Sequence, residues 1–192
     1  MIPYGTSVIS DEDKAAVMRV LDRNYLTRGV EMRRFEEKLC EVSGKKYAIA
    51  MSNATAALWA AMEPNATHEV WTSTLTFSAI SNAAMLNASL IEFVDVDRDT
   101  LCGDFPTAFN GIDDAIYVPM DYAGYPSLEK PIPSNGCFVL LDASHSFGGT
   151  LTDGSSNTKH ANAAVYSFHP VKLITTGEGG AVVTDDESFA DD

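Results

Sequence analysis

Lys172 is the last cation of the chain, and it stands in AAVYSFHPVKLITTGEGGAVVT (163–184), between two runs whose β-branched and aromatic content favours burial. The segment reads as an apolar strand from Ala163 to Phe168, a bend at His169-Pro170, a Thr/Gly turn, and a second strand from Ala181 to Thr184. A loop lysine ordinarily leaves its head in water. Here hydroxyls at Ser167, Thr175 and Thr176 lie within a few positions, and the Gly177-Glu178-Gly179-Gly180 turn permits close backbone approach. A desolvated lysine has a lowered pKa and can attack a carbonyl, so Schiff-base chemistry is the reading to test.

Other residues could serve such chemistry, and each has an ordinary alternative. Ser52-Asn53-Ala54-Thr55 is a strand-to-helix turn whose amides and hydroxyls could grip a phosphate, or simply an N-cap. Asp142 closes the apolar run VLLD, where a carboxylate needs a cation, a donor or a solvated strand end. His145, three residues on, reads equally as a core histidine, a ligand or a base. Phe77 is a core residue or a ring platform. Asp95-Val96-Asp97-Arg98-Asp99 resembles the opening of a calcium loop, but Thr100 and Pro106 occupy the positions that need glycine and glutamate. Gly177 to Gly180 precedes a strand and so is not a dinucleotide fingerprint.

The elements that must position these groups follow from periodicity. Ser10-Asp11-Glu12-Asp13 has capping-box spacing and opens a helix to about Asp22, with Ala16, Val17, Val20 and Leu21 on its inner face. A second helix spans about 31–42, with Met32, Phe35, Leu39 and Val42 at helical spacing and Gly44 as its cap. Short apolar runs at 47–51, 70–75, 90–96, 115–120, 138–142, 163–168 and 181–184 alternate with helical stretches at 56–62 and 78–87. The crossovers 98–114 and 123–137 are too short to promise helices. Alternation of this kind predicts a three-layer α/β/α fold around a mostly parallel sheet of about seven strands, with ligands gathered beyond the carboxyl ends.

Composition narrows the function. At 192 residues and 45% hydrophobic, one domain with one sizeable core is expected. A net charge of −14 argues against nucleic acid or an anionic membrane as partner. No apolar run approaches the roughly 18 residues of a membrane span, and no signal-peptide pattern opens the chain, so a cytoplasmic location is expected. Cys40, Cys102 and Cys137 are an odd, widely spaced set that reads as reduced thiols.

A lysine for an aldehyde, a carboxylate for a ring nitrogen, an aromatic face and a phosphate turn together fit pyridoxal 5′-phosphate. In IPYG, YLTRG, SNATAAL, TFSAISNA, FVDVD, DYAGYP, DASHSFGG and SFHPVKLITTGEGGAVVTDDE, in that order, the chain resembles the DegT/StrS-type sugar-nucleotide aminotransferases of fold type I. SNATAAL, DYAG, DASH and the lysine segment are most similar to the branch of pseudaminic acid synthesis that aminates a UDP-linked 4-keto-6-deoxy sugar. The resemblance implies that Lys172 binds the cofactor aldehyde and moves protons, Asp142 holds the pyridine nitrogen protonated, and Phe77 stacks on the ring. It assigns the phosphate to the amides of Ala54 and Thr55 with Ser167, places His145 near the phenolic oxygen, and brings Tyr25 and Thr27 toward substrate. It implies glutamate as amino donor, a keto sugar nucleotide as acceptor, and a homodimer. Lysine at 172 departs from the dehydratase branch, which has histidine there.

Three departures qualify that expectation. Family members carry about as many residues again, so residues 1–192 would be the cofactor-binding large domain with an N-terminal helical arm (about 1–44) and without the small C-terminal domain. The segment 98–137 is shorter than the family's. Ala54 stands where glycine is commoner in the phosphate turn. An inactive cofactor-binding or dimerising remnant is therefore the rival expectation.

Overall fold

The computed structural model describes residues 5, 7–23, 25–64, 69–105, 115–132 and 136–191. Four helices and seven strands precede a short terminal helix: α1 (Asp11–Leu21), α2 (Val30–Ser43), β1 (Tyr47–Met51), α3 (Ala54–Met62), β2 (Glu69–Ser73), α4 (Ala79–Leu86), β3 (Leu90–Val94), β4 (Ile116–Val118), β5 (Phe138–Asp142), β6 (Ala163–Ser167), β7 (Gly180–Thr184) and α5 (Glu187–Asp191). The strands form one sheet in the order β1-β7-β6-β5-β4-β2-β3.

β2 pairs in parallel with β3 and β4, as does β5 with β4 and β6, while β7 runs antiparallel to both β6 and β1. The exception has a simple cause. Only the turn 168–179 joins β6 to β7, and a strand returning without a crossover helix must reverse direction. Every residue of β6 and β7 is buried, as expected of strands covered on both faces. Leu140, Ala163, Val165 and Val182 face α3 and α4. Val139, Leu141, Ala164, Tyr166, Ala181 and Val183 face the opposite layer, where Leu39 of α2 packs. Each fully buried Leu or Met of this kind stabilises the fold by about 1.5–3 kcal/mol.

α2 ends on Gly44 in the left-handed conformation (φ 74°), and its Phe35 meets Phe168 edge-on at 5.1 Å. Phe147 reaches the same Phe168 ring at 5.6 Å, so the residue that opens the lysine turn is clamped from two sides. α1 has the anticipated capping box, but the expected inner face is not inside. No residue of α1 is buried, and Val17 and Leu21 are 59% and 57% exposed. α1 precedes the first strand and contributes to neither core cluster, so an amphipathic pattern here forms a helix without a layer to pack on. Between β4 and β5 the described chain forms only a 3-10 turn at Tyr122–Gly124, while 106–114 and 133–135 lie outside the described residues. All three cysteines are free thiols. Among the described residues no helix is long and apolar enough to cross a membrane.

Candidate active site

The turn carrying Lys172 is closed by its own backbone and hydroxyls. Phe168 N–H donates to Gly179 O (2.9 Å), and Phe168 O accepts from Thr176 N–H and the Thr175 hydroxyl. Within it, Lys172 N–H donates to His169 O at 2.9 Å. From the chain's beginning, the Ser7 hydroxyl donates to Pro170 O at 2.7 Å, a tie that no sequence pattern announced. Lys172 is half-buried. Desolvation lowers its pKa below the usual lysine value, and the Asp142 charge opposes that shift only in part.

Asp142 ends β5, 2% exposed. Its Oδ1 accepts the Ser144 N–H at 3.0 Å. Burial raises its pKa, with Ser144, His145 and Lys172 pulling the other way. His145 Nδ1 accepts the Ala123 N–H at 3.4 Å, which leaves Nε2 as the ring's donor. Desolvation and the nearby Lys172 charge lower the His145 pKa, while Asp142 raises it. The structure thus brings Asp142, His145 and Lys172 within mutual electrostatic reach beyond the sheet.

The Ser52–Thr55 turn packs against Gly180, at the start of β7 where the lysine turn ends. In register, Gly180 pairs with Met51 on one side and Ser167 on the other, which sets Ser167 beside the start of α3. A Cβ on Gly180 would lie 2.3 Å from Asn53 C and 2.5 Å from Ala54 N. Only glycine lets β7 come this close to the turn. Asn53 caps α3 by accepting the Ala56 N–H at 2.9 Å, and the N–H groups of Ala54 and Thr55, at the first two helical positions, have no intrahelical acceptor. Cap and anion-binding turn are therefore compatible: Asn53 takes one role and leaves two amides for the other. Gly180→Ala should cost about 1–3 kcal/mol through overpacking against backbone and displace the turn; chemical denaturation and phosphate-ester binding measure the two effects.

Phe77 is 66% exposed in the segment between β2 and α4. The preceding Thr76 hydroxyl meets Met120 Sδ at 3.3 Å, and Met120 bridges Asp142 across the sheet, so the loop bearing Phe77 adjoins the Asp142 strand end. Tyr25 and Thr27 are exposed between α1 and α2, and none of the contacts above involves them. The glycine turn ending at Gly180 was legible as a close approach, though its partner at Asn53 and Ala54 was not; the residues missed by sequence reasoning are Ser7 and the fully buried Asp121, whose place at the carboxyl end of a strand was the available signal.

The assembled groups offer an amine to a carbonyl, a buried carboxylate to a cation, and two helix-start amides with a hydroxyl to an anion. Comparison with known proteins supplies the context. The chain is 36% identical over 203 residues to the UDP-4-amino-4,6-dideoxy-N-acetyl-beta-L-altrosamine transaminase of Campylobacter jejuni, an alignment that covers 100% of this chain and 53% of that one. Helicobacter pylori PseC, an aminotransferase of pseudaminic acid biosynthesis, superposes with a TM-score of 0.88 at 30% identity, over 98% of this chain and 53% of its own. The sugar aminotransferase CalS13 of Micromonospora echinospora gives 0.87 at 27% identity, over 100% of this chain and 56% of its own. The chain therefore spans about half the length of these relatives. With a family model matching residues 7–192, this protein belongs to the DegT/DnrJ/EryC1/StrS aminotransferase family.

Proposed function

We propose that the chain is the pyridoxal 5′-phosphate-binding large domain of an aminotransferase that moves an amino group from glutamate to a keto sugar nucleotide. The observation that carries this reading is the pairing of a half-buried lysine with lowered pKa and a 2%-exposed aspartate whose charges act on one another. The residues suit the cofactor on chemical grounds. A buried carboxylate with one backbone donor is relieved by a cationic ring N–H, and the start of α3, which Gly180 approaches and beside which Ser167 pairs in register, would offer the Ala54 and Thr55 amides and the Ser167 hydroxyl to the phosphate.

When bound, pyridoxal phosphate supplies an electron sink that lets an amino group leave one carbon and join another. The chain's residues do the rest. Lys172 Nζ would hold the aldehyde carbon and would take and return protons; its lowered pKa gives it a larger neutral fraction near neutral pH than an ordinary lysine. Asp142 would keep the ring nitrogen protonated, Phe77 would cover the ring face, and His145 would offer its Nε2–H as a donor to the cofactor. Tyr25 and Thr27 serve the sugar nucleotide from the arm. A second copy of the chain is the natural cover for Val17, Met18 and Leu21 of α1 and for Val171, Leu173 and Ile174 around the lysine turn, all more than 40% exposed.

The second reading is a cofactor-binding or dimerising protein without turnover. Glutamate separates the two. On the enzyme reading, glutamate added to the cofactor-loaded protein bleaches its yellow absorbance and yields 2-oxoglutarate in equal amount, and a keto sugar nucleotide restores the colour. A loaded protein that glutamate leaves unchanged supports the second reading.

A further inference from the structure

Asp121 is a second buried carboxylate, 0% exposed, and its surroundings differ from those of Asp142. Four neutral donors converge on it. Oδ1 accepts from Ser127 N–H and the Ser127 hydroxyl, both at 2.7 Å. Oδ2 accepts from the Ser146 hydroxyl at 2.7 Å and from Asn157 Nδ2 at 2.8 Å. Asn157 Nδ2 also reaches Ser146 O and Oγ. Four donors and no acceptor are what an ionised carboxylate takes. The donors come from three separate segments, 127, 146 and 157, so a single side chain ties them together. Its backbone adds a fourth link, because Asp121 N–H donates to Asp142 O at 3.1 Å.

Two features show what this cross-link restrains. Ser146 is the residue after His145, and the 143–149 turn follows Asp142 directly. On the other side, Ala123 is held at φ 52°, a left-handed conformation unusual for alanine, and Gly124 follows at φ 87° with His145 O 3.3 Å from where its Cβ would be. Backbone held in that region costs of order 1–3 kcal/mol and persists only when neighbours enforce it. Here the enforced turn aims the Ala123 N–H at His145 Nδ1 and sets Tyr122 edge-on to the imidazole at 6.1 Å.

We propose that Asp121 is a positioning residue: its carboxylate locks the 121–128 turn to the 143–149 turn, and this lock holds the His145 ring with Nδ1 on the Ala123 amide and Nε2 as its proton-bearing atom. Asp121 acts through Ser146 and through the strained alanine. Tyr166, whose phenol is buried without a hydrogen-bond partner among the described residues and feels the Asp121 charge, lies in the same neighbourhood. The meaning of this lock for catalysis rests on the reading above, but the lock itself is a property of the free protein.

The test therefore begins without cofactor. Nitrogen-15 spectra of the His145 ring and amide hydrogen exchange are recorded for the wild-type chain, Ser146→Ala and Asp121→Asn. Ser146→Ala removes one hydroxyl and keeps three of the four contacts, so it preserves the fold where Asp121→Ala could lose it. The expected result is a single neutral Nε2–H tautomer in the wild type, mixed tautomers in both variants, and exchange of the 144–148 amides faster by about tenfold or more, the factor that goes with losing a hydrogen bond to a charged acceptor. An unchanged His145 tautomer with unchanged exchange in both variants overturns the proposal. Addition of pyridoxal phosphate then distinguishes the failures. Capture by the wild type with no change in His145 between variants sinks the lock and spares the function; loss of the tautomer without capture by the wild type does the reverse.

Discussion

Lys172→Ala is expected to leave a folded protein that no longer captures pyridoxal phosphate as a yellow covalent adduct, with amino transfer down by at least about 10²–10⁴-fold, the range for removing a general acid–base group. The fold should survive because Lys172 packs as a half-buried turn residue while Phe168, Thr175 and Thr176 close the turn without it. Visible absorbance and thermal melting report the two halves of this prediction. The pH dependence has a definite sign. Burial lowers the lysine pKa, so the neutral amine appears at lower pH than in an exposed lysine, and capture by the wild type should rise with pH through a midpoint below 10.5.

Asp142→Asn should separate stability from function. The carboxylate is 2% exposed, desolvation is the largest influence on its pKa, and that influence is upward. Asparagine keeps an oxygen for the Ser144 N–H and removes the charge. The cofactor-free variant is therefore expected to be more stable at neutral pH by about 1–3 kcal/mol, the scale of an undercompensated buried polar group. The linkage runs the same way. A carboxyl whose folded pKa is raised favours the folded state at low pH, and that contribution is lost as pH rises from the unfolded value through the folded one. Melting curves across the acidic range should show this slope in the wild type and lack it in the variant. Turnover should collapse, because a neutral amide cannot hold a ring nitrogen protonated.

The sheet was legible because its strands are short apolar runs punctuated by turns: five fall within the runs expected, and β2 and β7 begin one residue earlier, at Glu69 and Gly180. The expectation of a mostly parallel sheet assigned β7 no direction of its own; the short 168–179 link, without helical periodicity, is what excludes a parallel return. Asp142 and His145 were legible as candidates from their place at a strand end, and Lys172 from its place between two apolar runs. The apolar stripe of α1 was misjudged, because periodicity tells that a helix has a face and not what covers it. The partner of Gly180 and the role of Asp121 are hidden in the sequence for a related reason. The collision that requires glycine is with backbone far away in sequence, and a carboxylate satisfied by neutral donors from three segments leaves no pattern in any of them.

Everything above turns on which amine meets the aldehyde. The cofactor-free chain, incubated with pyridoxal phosphate, reduced with borohydride and digested, can be mapped by peptide mass. The account predicts the phosphopyridoxyl group on the peptide containing Lys172. Labelling spread over exposed lysines such as Lys14 and Lys38, with none on Lys172, would contradict it.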